Sequence, residues 1–298
     1  MLDKDGFLKE YRLVEAFKKS GLSWDLLMEI YSDYEEQHYC NLKKLTKQFI
    51  SDLEQGQYQC FEDEYLKVKR IHTIFGRAKN PEHLIEKIIR KVGVEDSKKY
   101  SEINKENYRE KITDLIGIRI LVLAKEDWWA ADKLIRHLFT KFQETPVSYV
   151  CYGDRKIFDE SLLHVDYTNK GYRSQHYIVE YQGYSAEIQV RTIAEEAYSE
   201  FDHRIRYPYQ ISNKFLKRYS KIVSKGISEL DDLISTCLEM DENLLDNLSQ
   251  TFKDDKYVDW TKNYKQEYHD VNTEEDSDYA INEIADIKKM TSRKLMSR

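Results

Sequence analysis

Apolar and polar positions alternate along SAEIQVRT, residues 185–192: Ala186, Ile188 and Val190 fall between Glu187, Gln189 and Arg191. A period of two predicts a strand with one apolar face and one face bearing an acid, an amide and a base. HYIVEY, 176–181, has the same character, and Gln182-Gly183 between the two segments predicts a hairpin. DLIGIRILVL, 114–123, is a short run of Ile, Leu and Val bounded by polar residues, the mark of a buried strand. A further short strand is expected within 147–165.

Elsewhere the helical period dominates. Residues 8–75 predict helices throughout, interrupted at Gly21, with Ser23 capping a helix that carries Trp24, Leu27, Met28, Ile30 and Tyr31. Another carries Leu42, Leu45, Phe49, Ile50 and Leu53. Asn80 followed by Pro81 is a cap and first-turn signature, and Leu84, Ile85, Ile88 and Ile89 form the stripe behind it. Residues 95–111 read as a polar linker or short helix, 127–142 as a helix crossing back over the sheet, and 192–207 as a helix capped by Thr192 and ended by Pro208. From Phe215 to Leu238 apolar residues recur at helical spacing, as a core helix or helix pair or, equally, as an oligomer interface. The last fifty residues are polar and expected to be loosely ordered. The fold class is therefore α+β, a mixed β-sheet flanked by helices with helical N- and C-terminal extensions. The expected divisions are 1–64 (helical extension), 65–210 (the α/β centre), 211–250 (helix or helix pair) and 251–298 (polar tail).

Composition refines this picture. Of 298 residues 41% are hydrophobic and 34% charged, enough for a sizeable core under a heavily solvated surface. A net charge of −7 gives no global attraction to nucleic acid, so any anion site must be local. Cys40, Cys60, Cys151 and Cys237 are scattered, without metal-ligand spacing, and read as reduced thiols. The N-terminal residues lack the pattern of a signal peptide and no run approaches membrane-spanning length, so a cytoplasmic protein without membrane contact is expected.

The candidate chemistry lies on three segments. The start of the helix at 80–91 is a natural anion site, with Arg77 and Lys79 before it and His83, Lys87 and Arg90 along one face. Taken by itself this basic face reads first as solvated surface, although a polyphosphate needs several fixed cations at once and these would supply them. Asp114 at the mouth of the buried strand and Glu187 on the hairpin strand supply two carboxylates of the kind that hold Mg²⁺ with substrate phosphates. The loop NKGYRSQHY, 169–177, offers Gly171 for a sharp entry, Tyr172 as a flat ring and His176 four residues on.

GRAKNPEHLIEKIIRK, ITDLIGIRI, GYRSQHYIVEY and AEIQVRT resemble, in order and spacing, the motifs of the RelA/SpoT-type (p)ppGpp synthetase domain, a nucleotidyltransferase-like fold. The resemblance spans roughly residues 65–210. It implies that Arg77 and Arg119 sandwich the adenine of ATP, that Lys79, Lys87 and Arg90 hold its phosphates, and that Asp114 and Glu187 bind Mg²⁺. It further implies that Glu187 takes the proton of the acceptor's 3′-hydroxyl, that Tyr172 stacks on guanine and that His176 contacts the acceptor's phosphates. Gln189 and Arg191 would support the site. The implied reaction moves the β,γ-pyrophosphate of ATP to GDP or GTP. The chain departs from the family pattern at Lys170, where Asn is frequent, and at His83, where Ser is frequent. About 70 residues precede the motifs, too few for the hydrolase domain of long members, so no alarmone hydrolysis is expected. The implied protein is a small stand-alone synthetase, with homo-oligomerisation expected of such relatives. The alternative acceptor is the 3′-end of tRNA, with Lys170, Arg173 and the run Lys214, Lys217, Arg218 and Lys221 serving it.

Overall fold

The computed structural model describes residues 2–61, 70–100, 102–151, 154, 157–168, 171–205 and 213–247, with side chains to residue 238. The described residues up to 238 belong to one compact unit. Helices α1 (Lys4–Glu10), α2 (Val14–Ser20), α3 (Trp24–Asp33) and α4 (Cys40–Cys60) come first, with a π-helical stretch, Tyr34–Tyr39, joining the last two. Strand β1 (Ile71–Ala78), α5 (Pro81–Gly93), α6 (Tyr108–Lys111), β2 (Ile116–Val122) and α7 (Trp128–Leu138) follow. Then come β3 (Val147–Cys151), β4 (His164–Thr168), the hairpin β5 (Ser174–Tyr181) and β6 (Tyr184–Thr192), α8 (Ile193–Ile205) and α9 (Lys214–Asn247).

The strands make one six-stranded mixed sheet in the order β1-β2-β6-β5-β3-β4. β2 and β6 run parallel, as do β3 and β4, and the other pairs are antiparallel. The expected α+β class is what forms. At the hairpin tip Gln182 (φ 50°) and Gly183 (φ 78°) both take left-handed backbone, the geometry of a two-residue turn that matches strand twist.

One sheet face is apolar. Ile118, Ile120, Ala186, Ile188, Val190, Tyr177 and Val179 are buried there in a core shared with Leu84, Ile85, Ile88 and Ile89 of α5 and Leu134 and Ile135 of α7. Leu27, Ile30, Tyr34, Leu42, Phe49 and Leu53 of the N-terminal helices belong to the same core. Burying each such side chain stabilises the fold by about 1.5–3 kcal/mol. Tyr34 also donates its hydroxyl to the Lys79 carbonyl at 2.8 Å.

Two expectations change. Residues 71–75, read as helix, open strand β1, because their apolar positions pair with β2 rather than lie on a helical face. The stripe in α9 is turned: Phe215, Tyr219, Ile222, Leu230 and Leu233 are exposed, while Ser220, Ser224, Ser228, Asp231 and Ser235 are buried against the domain. Small polar residues let this helix approach polar groups on the body, and its apolar flanks Val223, Ile227 and Ile234 are half-buried. The end expected at Pro208 lies outside the described residues.

Candidate active site

The opposite sheet face gathers the polar members of each alternation. Register places Arg77 beside Gly117, Gly117 beside Glu187, Arg119 beside Gln189, and Gln189 beside His176. Partners across a ladder share a face, so Arg77, Arg119, Glu187, Gln189, Arg191 and His176 all emerge on one side. Residues far apart in sequence meet there because the parallel β2–β6 pair sits at the centre of the sheet.

Glu187 is held on both oxygens. His176 Nδ1 lies 2.8 Å from Oε1, and Gln189 donates to Oε2 at 2.9 Å. His176 Nε2 lies 2.9 Å from the Tyr172 hydroxyl, which accepts from Arg191 at 2.6 Å. Burial disfavours the His176 cation, but the Tyr172 oxygen and the Glu187 carboxylate outweigh it and push the imidazole up to about 9. Burial likewise opposes ionisation of Glu187, yet the His176 charge and hydrogen bond hold its carboxyl below the usual range. At neutral pH the two are an ion pair.

A second cluster sits at the start of β2. Asp114 pairs with Lys79 at 2.7 Å and Lys87 at 2.9 Å. Against its burial, the two ammonium groups hold Asp114 firmly ionised. Glu187 also feels Asp114, whose charge opposes its ionisation, and Lys87, whose charge favours it. The two carboxylates thus act on one electrostatic region.

The ATP-side candidates are distributed around this centre. Arg77 is exposed at the end of β1. Arg119 reaches α8, bonding Glu196 and, at 2.6 Å, Glu200, with its guanidinium 5.8 Å from the Phe75 ring centre. Arg90 is bonded to Glu86 at 2.8 Å and to Glu95. Asn80 caps α5 as expected, its oxygen accepting from the Glu82 amide at 2.8 Å. That cap occupies amides the sequence reading left open for an anion. Burial is the main influence lowering the His83 pKa, so at neutral pH its face of α5 carries the charges of Lys87 and Arg90 rather than three cations.

Tyr172 stands on a loop fixed on both sides, its ring 5.0 Å from the Arg191 guanidinium. Arg191 is 2% exposed and also bonds Gln189 at 2.7 Å and Glu196 at 2.9 Å. Arg173, the next residue, is 8% exposed and forks onto Asp154 at 2.8 and 3.0 Å. It is therefore withdrawn from any polyanion surface, and Lys170 lies outside the described residues. Lys214, Lys217, Arg218 and Lys221 are exposed on α9.

Sequence reasoning missed the carboxylates that tether the arginines. Glu196 and Glu200 lie one turn apart on α8, and Glu196 holds both Arg119 and Arg191. Their spacing was visible, but the strand register that brings them over the arginines was not. Thr192 and Glu195 form the reciprocal cap that starts α8, with bonds of 3.0 and 2.9 Å.

Comparison with known proteins adds two likenesses, one of sequence and one of fold. Residues 76–212 match the family described as "Region found in RelA / SpoT proteins". No curated protein matches the chain. Among solved structures, the small alarmone synthetase 1 from Bacillus subtilis aligns with a TM-score of 0.52 at 19% identity, over 71% of this chain and 99% of that one. The same protein bound to its product pppGpp aligns with a TM-score of 0.49 at 20% identity, over 70% and 98%. The first alignment establishes a common fold.

Proposed function

We propose that this chain, whose residues 76–212 match the family described as "Region found in RelA / SpoT proteins", is a pyrophosphokinase that transfers the β,γ-pyrophosphate of ATP to the 3′-hydroxyl of GDP or GTP. The observation that carries this reading is the ionised Glu187, paired with His176 and joined through it to Tyr172, on the face that also bears Arg77 and Arg119.

In this reading Arg77 and Arg119 flank the adenine. Lys79, Lys87 and Arg90 meet the phosphates, and Tyr172 takes the guanine. Asp114 and Glu187 fit a Mg²⁺ that draws its remaining ligands from phosphate oxygens and water, since both carboxylates are held as anions and act on one region. Such an ion would neutralise charge on the transferred group. Lys79 and Lys87, which now neutralise Asp114, would then turn toward the phosphates.

The acceptor's 3′-oxygen attacks the β-phosphorus, its proton passes to a Glu187 oxygen, and the bond to the α-phosphate oxygen breaks to release AMP. While paired with His176, Glu187 is a weak base. Drawing His176 onto the acceptor's phosphates would remove the largest of the influences that depress the carboxyl, so acceptor binding itself would raise its basicity. The remaining catalysis is positioning and charge compensation.

The test is transfer from γ-labelled ATP with Mg²⁺ and GDP, GTP or bulk tRNA in parallel. AMP release with label in a guanosine tetra- or pentaphosphate is expected. Label in tRNA alone would replace the acceptor, and no transfer to any of the three would remove the activity. Incubating the product alone checks the expectation that it is not hydrolysed.

A further inference from the structure

The loop bearing Tyr172 is closed from outside the sheet by α9. Ser224 donates to the Gly171 carbonyl at 2.7 Å and accepts from the Arg173 guanidinium at 2.8 Å. The same guanidinium reaches the Gly171 carbonyl at 3.3 Å and the Ser224 carbonyl at 3.4 Å. One helix hydroxyl thus ties the residue before Tyr172 to the residue after it. Ser228, one turn on, donates to Asp154 at 3.1 Å, the carboxylate on which Arg173 forks. Lys125 continues the seam, meeting Ser228 at 3.2 Å and Asp232 at 2.8 Å.

The fit leaves no room for adjustment. Gly171 holds φ +80°, and a Cβ there would lie 2.8 Å from Ser224 Cβ, Ser224 Oγ and the Tyr198 hydroxyl. Ser224 is 2% exposed and Arg173 8%. With both neighbours fixed, the Tyr172 ring has its position set, and its hydroxyl is on His176, the partner of Glu187.

We propose that Ser224, acting through Gly171 and Arg173, is a positioning residue for the acceptor site, and that α9 is the part that holds the Tyr172 ring where a base can stack on it. The role rests on the proposed function, in which Tyr172 receives the acceptor base. It predicts an effect centred on the acceptor side, because the ATP-side cations hang from β1, α5 and β2, and Arg119 is joined to this loop only at a remove, through Glu196, Arg191 and the Tyr172 hydroxyl.

The experiment compares Ser224→Ala with Ser235→Ala, a cut of the same size in the same buried face of α9, 1% exposed and away from the loop. Losing a bond to a charged group and one to a buried carbonyl should raise the acceptor KM roughly ten-fold or more, with the ATP KM and kcat within about two-fold of the parent. Ser235→Ala should leave all three near the parent values. Hydrogen exchange is read on the same proteins: peptides covering 171–176 should lose protection in Ser224→Ala and keep it in Ser235→Ala. Equal exchange in the two variants, or an acceptor KM unmoved by Ser224→Ala in an active enzyme, overturns the role. If the parent transfers nothing to guanine nucleotides, the proposed function fails, while the exchange comparison still decides whether Ser224 holds the loop. Should Ser224→Ala not fold, Arg173→Lys, which keeps a charge facing Asp154 but loses the guanidinium nitrogen that meets Ser224 and the Gly171 carbonyl, carries the same expected results.

Discussion

Glu187 and His176 form a pair in which each fixes the other's charge, and this has two measurable consequences. Glu187→Gln keeps the strand and its apolar face while removing the carboxylate proposed as proton acceptor. Steady-state kinetics should show kcat lowered by about 10²–10⁴-fold; wild-type turnover in a folded variant would end the assignment. His176 is raised from the ordinary imidazole value near 6.5 to about 9. A raised folded-state value means its stabilisation is complete below about pH 6.5 and lost as pH climbs through about 9. The melting-temperature gap between wild type and His176→Gln, followed by calorimetry, should be widest below pH 6.5 and close above pH 9. Alternation places Glu187 on the polar face of a strand, where a surface role is the simpler reading, and only Asp114 and the cationic helix at 80–91 make it a candidate. Its partner is not legible in the sequence: the bond joins residues 11 apart through a register that only the folded hairpin sets. The Lys79–Asp114 pair spans 35 residues and is equally invisible in a linear reading.

Elements were easiest to read where their ends carried chemistry. Asn80-Pro81 and Thr192 start α5 and α8 because their side-chain oxygens satisfy first-turn amides. Leu84→Ala at the fully buried face of α5 should cost about 2–5 kcal/mol in urea denaturation. The long helix α9 shows where pattern reading stops. Amphipathic spacing says that a helix has two faces, but which face is buried depends on the surface opposite, here a polar seam. That seam encloses Asp231, wholly buried, accepting from Thr192 at 2.9 Å. Burial and the nearby Glu195 raise its carboxyl to about 7. A carboxyl raised on folding contributes stability below its unfolded value near 3.9 and loses it as pH rises through about 7. Asp231→Asn should therefore gain on wild type in melting temperature between about pH 4 and 7; an unchanged difference across that range would show that the group does not titrate there.

Across the whole molecule, a net charge of −7 surrounds a face on which cations converge. Much of that charge is internally spent: Lys79, Lys87, Arg119, Arg173 and Arg191 each face a carboxylate in the fold. In the proposed reaction, nucleotide phosphates compete with the carboxylates facing Lys79, Lys87 and Arg119 and with the field of an acidic chain. The KM for ATP should therefore rise with ionic strength between roughly 50 and 200 mM salt, where screening lengths shrink toward the size of the site. A flat dependence would place the phosphates away from these cations. Among the described residues, no helix is long and apolar enough to cross a membrane.

The Tyr34 hydroxyl ends on the carbonyl of Lys79. That bond, with the shared core beneath it, makes the first sixty residues a brace for Lys79, the lysine paired with Asp114. The span that carries the family likeness, 76–212, is accordingly smaller than what must be expressed to obtain a working site. A chain begun near residue 70 would bare Leu84, Ile85, Ile88 and Ile89 where helices now cover them, and would leave Lys79 to swing on an untethered backbone. Any boundary chosen for making this protein should be drawn by the core and not by the motif.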